Sequence, residues 1–480
     1  MNELAITLDM KSGVYLYEQI YQYIKNEIVE GKLSEQERLP STRALAEHLQ
    51  IARSTVELAY EQLVSEGYIE AKPYKGYFVC AVGELYHLKK EKVIRGEEQR
   101  KEAAYLFDLS PNGIEMKAFP FPTWRRISKN VLAEHQREIF EAGHPQGDFA
   151  FRNTICRYLY SFRGVNCEPE QIVVGAGNDY LLLLLGKILG EHQRVAMETP
   201  TYQRAYQIFC SAGYEMLTLP IDKNGMSMEH LKESGANIAY VMPSHQFPTG
   251  VVMPIGRRME LLKWAEEAED RYLIEDDYDS EFRYKGKPIQ ALQAWDKKEK
   301  VIYVGTFSKS IAPAIRVSFM VLPRPLLRLY EKNVSFLSST VSRIDQAILN
   351  EFIGGGHYER YLNKMRKIYR SKHDCLLECL KPFKNKFRIS GENAGLHIVL
   401  ISKEEGIHEE WLTKTAREVG IKVYGMSDYF IQGTKGIGKE KQWRIGEDLE
   451  EKHAKVLLGY ASLSEEEIRK ALFLLQKAWL

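Results

Sequence analysis

The stretch Thr306-Phe307-Ser308-Lys309-Ser310 sets one lysine among hydroxyls, with Arg316 seven residues beyond Lys309. A lysine amine can condense with a carbonyl, and hydroxyls beside an arginine can hold an anion. Upstream, Glu275-Asp276-Asp277-Tyr278-Asp279 gathers four carboxyls around one phenol. Carboxyls at a strand end are costly unless they meet cations or protonated nitrogens, so this run demands such partners. Gly175-Ala176-Gly177-Asn178 has the small residues that let backbone amides at a helix start surround a phosphate. Glu198-Thr199-Pro200-Thr201-Tyr202 offers an aromatic ring, either a core residue or a stacking platform. Pro243-Ser244-His245-Gln246-Phe247-Pro248-Thr249-Gly250 is a turn stiffened by its prolines and glycine.

An amine that forms an imine, a carboxylate that holds a pyridinium proton, and amides, hydroxyls and a guanidinium that hold a phosphate together describe a pocket for pyridoxal 5'-phosphate. Each segment alone is a weak signal. Their order along the chain is informative, because each follows a short β-rich run, at 172–174, 195–197, 238–241, 272–274 and 301–304. In a parallel α/β sheet ligands gather outside the carboxyl ends of the strands, so the five segments are expected to converge on one site. From Phe107 onward strands alternate with helical patterns, which places this part of the chain in the α/β class. After about Ser342 a long helical stretch through Tyr369 and Leu377 leads into a final αβ portion.

The order and spacing of the five segments resemble fold-type I aminotransferases over about residues 107 to 480. The resemblance implies that Lys309 carries the Schiff base with the cofactor, Asp276 pairs with the pyridine nitrogen, Tyr278 hydrogen-bonds the ring hydroxyl and Tyr202 stacks on the ring. It also implies phosphate contacts from Ala176, Gly177, Asn178, Thr306, Ser308 and Arg316. One departure stands out. Aminotransferases of this type place an asparagine before the proline of the central turn, where it contacts the ring oxygen; here Phe247 occupies that place. Acid-base tuning of the cofactor needs such contacts, so amine exchange is expected to survive while full transamination is slow.

The first 80 residues read differently. Tyr17, Ile20, Tyr21, Ile24 and Ile28 recur at helical spacing up to Gly31; Leu45, Ala46 and Leu49 make a second apolar face, and Val56, Tyr60, Leu63 and Val64 a third, ended by Gly67. The segment 68–79 alternates around Lys72-Pro73-Tyr74-Lys75-Gly76, which suits a hairpin. The residues 38–46, Arg-Leu-Pro-Ser-Thr-Arg-Ala-Leu-Ala, followed by Arg53-Ser54-Thr55-Val56, resemble GntR-family winged helix-turn-helix regulators. In such motifs the second helix reads the major groove from its start, which implies DNA contacts at Arg43, Arg53, Ser54 and Thr55, with Lys75 and Gly76 on the wing. Ser54 with Glu57 also spells an S-x-x-E capping box, and Arg43 and Arg53 could equally serve surface salt bridges.

Charge limits this reading. The whole chain carries a formal +1, and its first 80 residues hold eight Lys/Arg against twelve Asp/Glu, a net of −4. DNA binding must therefore come from a few well-placed cations, with modest non-specific affinity and marked salt sensitivity. The start of the chain lacks the basic, apolar pattern of an export signal, and the longest aliphatic stretch, around 181–189, is too short to span a bilayer, so a cytoplasmic location is expected. Six scattered cysteines form no CxxC pair or metal-ligand spacing; reduced thiols and no bound metal are expected.

The expected organisation is a winged helix-turn-helix over 1–80, a charge-dense linker over 81–106, an aminotransferase-like large domain over 107–345, and a C-terminal helix with a small domain over 346–480. Both halves in this order resemble the MocR/GabR-type subfamily of GntR regulators. The resemblance implies a homodimer with swapped head domains, a double-stranded DNA operator, and sensing of an amine or amino-acid effector, or of pyridoxal phosphate itself, through Lys309. It further implies that Arg204 meets an effector carboxylate. A second effector arginine expected in the small domain is missing from Ser427-Asp428-Tyr429-Phe430, and Arg444 is a distant substitute. The rival reading is a working pyridoxal-phosphate aminotransferase with a DNA-binding appendage.

Overall fold

The computed structural model describes residues 6–10, 13–81, 105–134, 137–284, 289–431 and 453–480. Most of the expected linker, and Arg444, lie outside these residues. Contacts divide the chain into two compact units, Met1–Ala103 and Ala104–Leu480.

In the first unit, helices α1 (Leu16–Val29), α2 (Thr42–Leu49) and α3 (Arg53–Ser65) precede a hairpin of β1 (Ile69–Lys72) and β2 (Gly76–Val79). The periodic apolar residues turn inward: Ile20, Ile24, Leu45, Val56, Tyr60 and Leu63 share one core with Ile69 and Val79. Val64 stays partly exposed. Ser41 caps α2 by accepting from the Ala44 amide at 3.1 Å, and Gln50 takes the left-handed conformation that turns the chain into α3. Lys72 pairs with Gly76 at the hairpin end, as the alternation around that turn predicts.

The second unit is built on an eight-stranded sheet. In chain order its strands are β4 (Ile172–Gly175), β5 (Arg194–Thr199), β6 (Glu215–Asp222), β7 (Gly225–Met226), β8 (Ile238–Val241), β9 (Tyr272–Asp277), β10 (Val301–Thr306) and β11 (Ser318–Val321), following β3 (Phe107–Asp108). Their spatial order is β4-β11-β10-β9-β8-β5-β6-β7. Strands β10, β9, β8, β5 and β6 pair in parallel, and β11 runs against both of its neighbours, so β4 points the same way as β10. Helices cover both faces, so β8 is buried at every residue and reads as the continuous run Ile-Ala-Tyr-Val. All five sequence segments leave the same edge of this sheet.

The long helical stretch after Ser342 is two helices, Arg343–Gly354 and His357–Cys379. The break falls at Gly355-Gly356, with Gly356 at φ +70°. A four-stranded antiparallel sheet follows, from the strands Phe387–Ser390, His397–Ser402, Tyr424–Gly425 and Lys455–Gly459. It packs its own core, including Leu376, Ile398, Leu458 and Leu472.

Candidate cofactor site and DNA-reading head

Strand alternation gives the acidic run four separate destinations. Glu275 turns to one side of β9 and accepts from the amides of Leu292 and Gln293 at 2.8 and 2.9 Å. Asp277, on that same side, takes Arg163 Nε at 2.7 Å and the Tyr303 hydroxyl at 2.5 Å. Asp276 faces the other way, into the cleft, where the Tyr240 hydroxyl donates to it and Asn178 Nδ2 donates at 3.4 Å. Asp279, beyond the strand, meets His245 Nδ1 at 2.9 Å. The four acids all find partners among the described residues, but only Asp277 meets an arginine; Glu275 is held by amides, Asp279 by the His245 ring, and Asp276 by a hydroxyl and an amide, with no cation beside it. Burial pushes its carboxyl up to about 7, against the lowering effect of Tyr240. A carboxyl with hydroxyl and amide partners but no cation suits a protonated ring nitrogen.

Lys309 follows β10, next to β9 in the sheet. Its Nζ donates to the carbonyl of Pro111 at 3.0 Å. Desolvation pushes the amine down to about 8, against the pull of Asp279. An amine held near neutrality is the form that attacks a carbonyl. The Tyr278 hydroxyl lies 2.8 Å from His245 Nδ1. The Tyr202 ring is partly buried and meets the edge of Phe247, 6.5 Å between centroids.

The anion cup lies at the start of the helix Asn178–Leu189. Gly177 has φ +91°, and a side chain there would run into the Arg316 guanidinium, so glycine is required. Arg316 itself sits in the left-handed region at φ +49°. Thr306 Oγ1 accepts from the Ser308 amide at 3.1 Å and from Ser318 Oγ at 2.8 Å. The Ala176 amide donates to Thr340 Oγ1 at 3.0 Å. Ser308 Oγ and Asn178 Oδ1 are buried and have no hydrogen-bond partner among the described residues. The Ser308 hydroxyl, the amides of the glycine turn and the Arg316 guanidinium can all donate to a phosphate, whereas Asn178 Oδ1 can only accept; the donor set as a whole fits pyridoxal phosphate.

The structure also joins Arg204 to this cup. Asp179 Oδ2 lies 3.3 Å from Arg204 Nη1 and 3.5 Å from Arg316 Nη2, so a single carboxylate oxygen serves both guanidiniums. Sequence reading missed Asp179, Tyr240, His245, Thr340 and the Pro111 carbonyl. Asp179 carried a signal, as an acid placed where an anion is expected, and His245 lay in the central turn expected at the site. The others are found through partners distant in the chain.

In the first unit Arg53, Ser54, Thr55 and Val56 form the first turn of α3, and Arg43 lies in the first turn of α2. Arg43 Nε reaches Glu47 at 3.0 Å and Arg53 Nε reaches Glu57 at 2.8 Å, while both arginines remain exposed. The capping box expected of Ser54 and Glu57 does not form. The helix begins two residues too early for it: Ala52 is the N-cap without a side-chain bond, Ser54 lies inside the first turn, and Glu57 is taken by Arg53. Lys75 is exposed on the wing, and Gly76 lies under the Arg38 guanidinium.

Residues 16–79 match the family of bacterial regulatory proteins of gntR type, and residues 107–430 match aminotransferase class I and II. The chain is 37% identical over 476 residues to YdeL, an uncharacterized HTH-type transcriptional regulator of Bacillus subtilis, covering 98% of each chain. It is 30% identical over 495 residues to MocR, a probable rhizopine catabolism regulatory protein of Rhizobium meliloti, covering 99% of this chain and 96% of that one. In fold it is similar to the multiple substrate aminotransferase of Thermococcus profundus, with a TM-score of 0.67 and 24% identity over 79% of this chain and 92% of that chain. Among the described residues no helix is long and apolar enough to cross a membrane. With a gntR-type helix-turn-helix joined to an aminotransferase class I and II fold, and full-length likeness to MocR, the chain belongs to the MocR-type family of HTH transcriptional regulators.

Proposed function

We propose that this regulator binds an operator through its helix-turn-helix and senses an amine or amino-acid metabolite, or pyridoxal phosphate itself, through Lys309. The observation that carries the reading is the pair on the adjacent strands β10 and β9: just past β10 a partly buried lysine amine brought down to about 8, and near the end of β9 a buried carboxyl raised to about 7. When bound, pyridoxal phosphate supplies an aldehyde that takes up primary amines with loss of water and an electron-withdrawing ring.

The remaining work belongs to the chain. Lys309 offers a substantially neutral amine near pH 8. Asp276, steadied by Tyr240 and Asn178, would hold the ring nitrogen's proton. Ser308, Asn178, the 176–177 amides and Arg316 would hold the phosphate, and Tyr202 would cover the ring. Phe247 brings no polar atom to the ring oxygen, which favours a sensor over an efficient transaminase. Arg204 would take an effector carboxylate, in competition with Asp179. The chain would act as a homodimer. Arg43, Arg53, Ser54, Thr55, Lys75 and Gly76 would contact the DNA, and the protein would act in the cytoplasm.

The test is operator binding by the full chain, on fragments it selects from a random duplex library, with and without pyridoxal phosphate and against a panel of amino acids and amines. A ligand that acts through two states should change the affinity by about five-fold or more. Steady turnover of an amino donor with a keto acceptor at about 1 per second or faster would favour the aminotransferase instead. Binding that ignores every addition would overturn the sensor.

A further inference from the structure

Phe247 leaves a position without the polar atom its turn would otherwise present. It is buried among rings, edge-on to Tyr202, Tyr278, His397 and Tyr429 at 5.1 to 6.5 Å. Two residues earlier in the same turn lies His245, 2% exposed and aimed at the neighbouring phenol. Resting on the cofactor reading above, we propose that His245 is a positioning residue: it fixes the hydrogen-bond polarity of Tyr278, so that this phenol gives its proton to the ring oxygen of pyridoxal phosphate.

The argument is one of tautomers. His245 Nδ1 lies 2.9 Å from Asp279 Oδ2 and 2.8 Å from the Tyr278 hydroxyl. Among the described residues its buried Nε2 has no partner. That edge of the ring lies against backbone: a side chain at Gly395 would collide with it, and one at Gly250 would come within 3.4 Å of Nε2. A proton on Nε2 would be a buried donor without an acceptor, and would turn the bare Nδ1 lone pair toward a carboxylate. The doubly protonated ring meets the same orphaned donor. It would also place a cation 5.3 Å from the ring of His397, which burial keeps neutral. Arg163, bonded to Ser244 at 2.5 Å, brings a further positive charge to this side. The arrangement that satisfies these groups is the neutral ring with its proton on Nδ1, forked between Asp279 and the Tyr278 oxygen.

A nitrogen that donates cannot accept. The Tyr278 oxygen therefore receives from His245, and its own proton must go to another acceptor, either the Asp279 carboxylate beside it or an oxygen presented from the cleft. Burial, reinforced by Asp279 and Asp276, holds the Tyr278 phenol well above its usual range, so that proton stays available. Asp279 already serves His245, and an anionic ring oxygen is the stronger claim on the phenol.

Two measurements test this. In the cofactor-free protein, nitrogen-15 spectra of labelled histidine rings, with His245 assigned by its loss in His245→Gln, should show a protonated Nδ1 and a bare Nε2 at pH 7.5. In protein loaded with pyridoxal phosphate, the pH midpoint of the bound chromophore's absorbance change should move by at least about 0.5 unit in Tyr278→Phe, and the same way in His245→Gln. The double variant should add nothing further. His245→Asn keeps an amide N–H near the Nδ1 position and should restore the wild-type midpoint. A protonated Nε2, or a His245→Gln midpoint equal to wild type beside a shifted Tyr278→Phe, would overturn the proposal. A wild-type protein that takes up no pyridoxal phosphate would overturn the cofactor reading and this inference with it; a loaded wild type with the wrong tautomer sinks the inference alone.

Discussion

Asn178 Nδ2 donates to Asp276 Oδ1 at 3.4 Å, joining the first residue of the helix that follows β4 to the penultimate residue of β9. The link spans 98 residues of chain, and it ties the expected phosphate cup to the expected ring-nitrogen partner. Positioning both ends of one ligand on neighbouring rigid elements reduces what must be ordered when the ligand arrives.

Asp276→Asn should have opposite effects on the empty and the loaded protein. Burial raises this carboxyl from 3.8 to about 7, so the empty fold is penalised as pH climbs through that window, and the penalty is absent below it. Removing the charge should stabilise the cofactor-free protein by about 1–2 kcal/mol at pH 8, with the advantage fading toward pH 4. Affinity for pyridoxal phosphate should fall about tenfold or more. Denaturant melts at the two pH values and absorbance titrations read the two effects separately.

Asp179→Asn should tighten the binding of pyridoxal phosphate. The carboxylate engages Arg316 at 3.5 Å and so competes with the phosphate for that guanidinium. Relieving the competition should be worth about threefold in affinity, the scale of one exposed ion pair, and the gain should shrink in high salt. Weaker binding in the variant would show that Asp179 orients Arg316 and does not compete for it.

Glu57→Gln should strengthen operator binding at low salt. Arg53 is held by Glu57 at 2.8 Å and is otherwise exposed at the start of α3. Freeing it should gain about two- to fivefold, while Arg53→Ala should cost about 1–3 kcal/mol and lower the salt slope by about one if it meets a phosphate. Fluorescence anisotropy across a salt series distinguishes the two outcomes.

Ser54→Ala separates DNA contact from helix capping. Because Ala52 and not Ser54 occupies the cap, the melting curve should change by no more than about 0.5 kcal/mol. Any loss of operator affinity would then report a contact with DNA. A stability loss of about 1 kcal/mol or more would reinstate the capping role.

The strands and their polar termini were legible because burial on both faces leaves continuous apolar runs, and each run stops where the sheet meets the cleft. Lys309, Asp276 and the glycine turn followed from that punctuation. The wing was readable from Lys72-Pro73-Tyr74-Lys75-Gly76, which closes the hairpin where expected. The Ser54 capping box was misread since the helix start was placed later than Ala52, and a shift of two residues changes which side chain reaches the free amides. Tyr240 and Thr340 were invisible for a different reason. Each is an ordinary strand or loop residue until the fold brings it against Asp276 or the Ala176 amide, and no local pattern encodes that meeting. The two-helix break at Gly355-Gly356 was passed over although Gly354-Gly355-Gly356-His357 interrupts the apolar spacing there.

The central claim is that one amine, on Lys309, takes hold of pyridoxal phosphate. Wild-type protein incubated with the cofactor, reduced with borohydride and digested should yield a single modified peptide, carrying the pyridoxyl group on Lys309, and Lys309→Ala should yield none. Equal labelling of several surface lysines, or a label that survives in Lys309→Ala, would contradict the account.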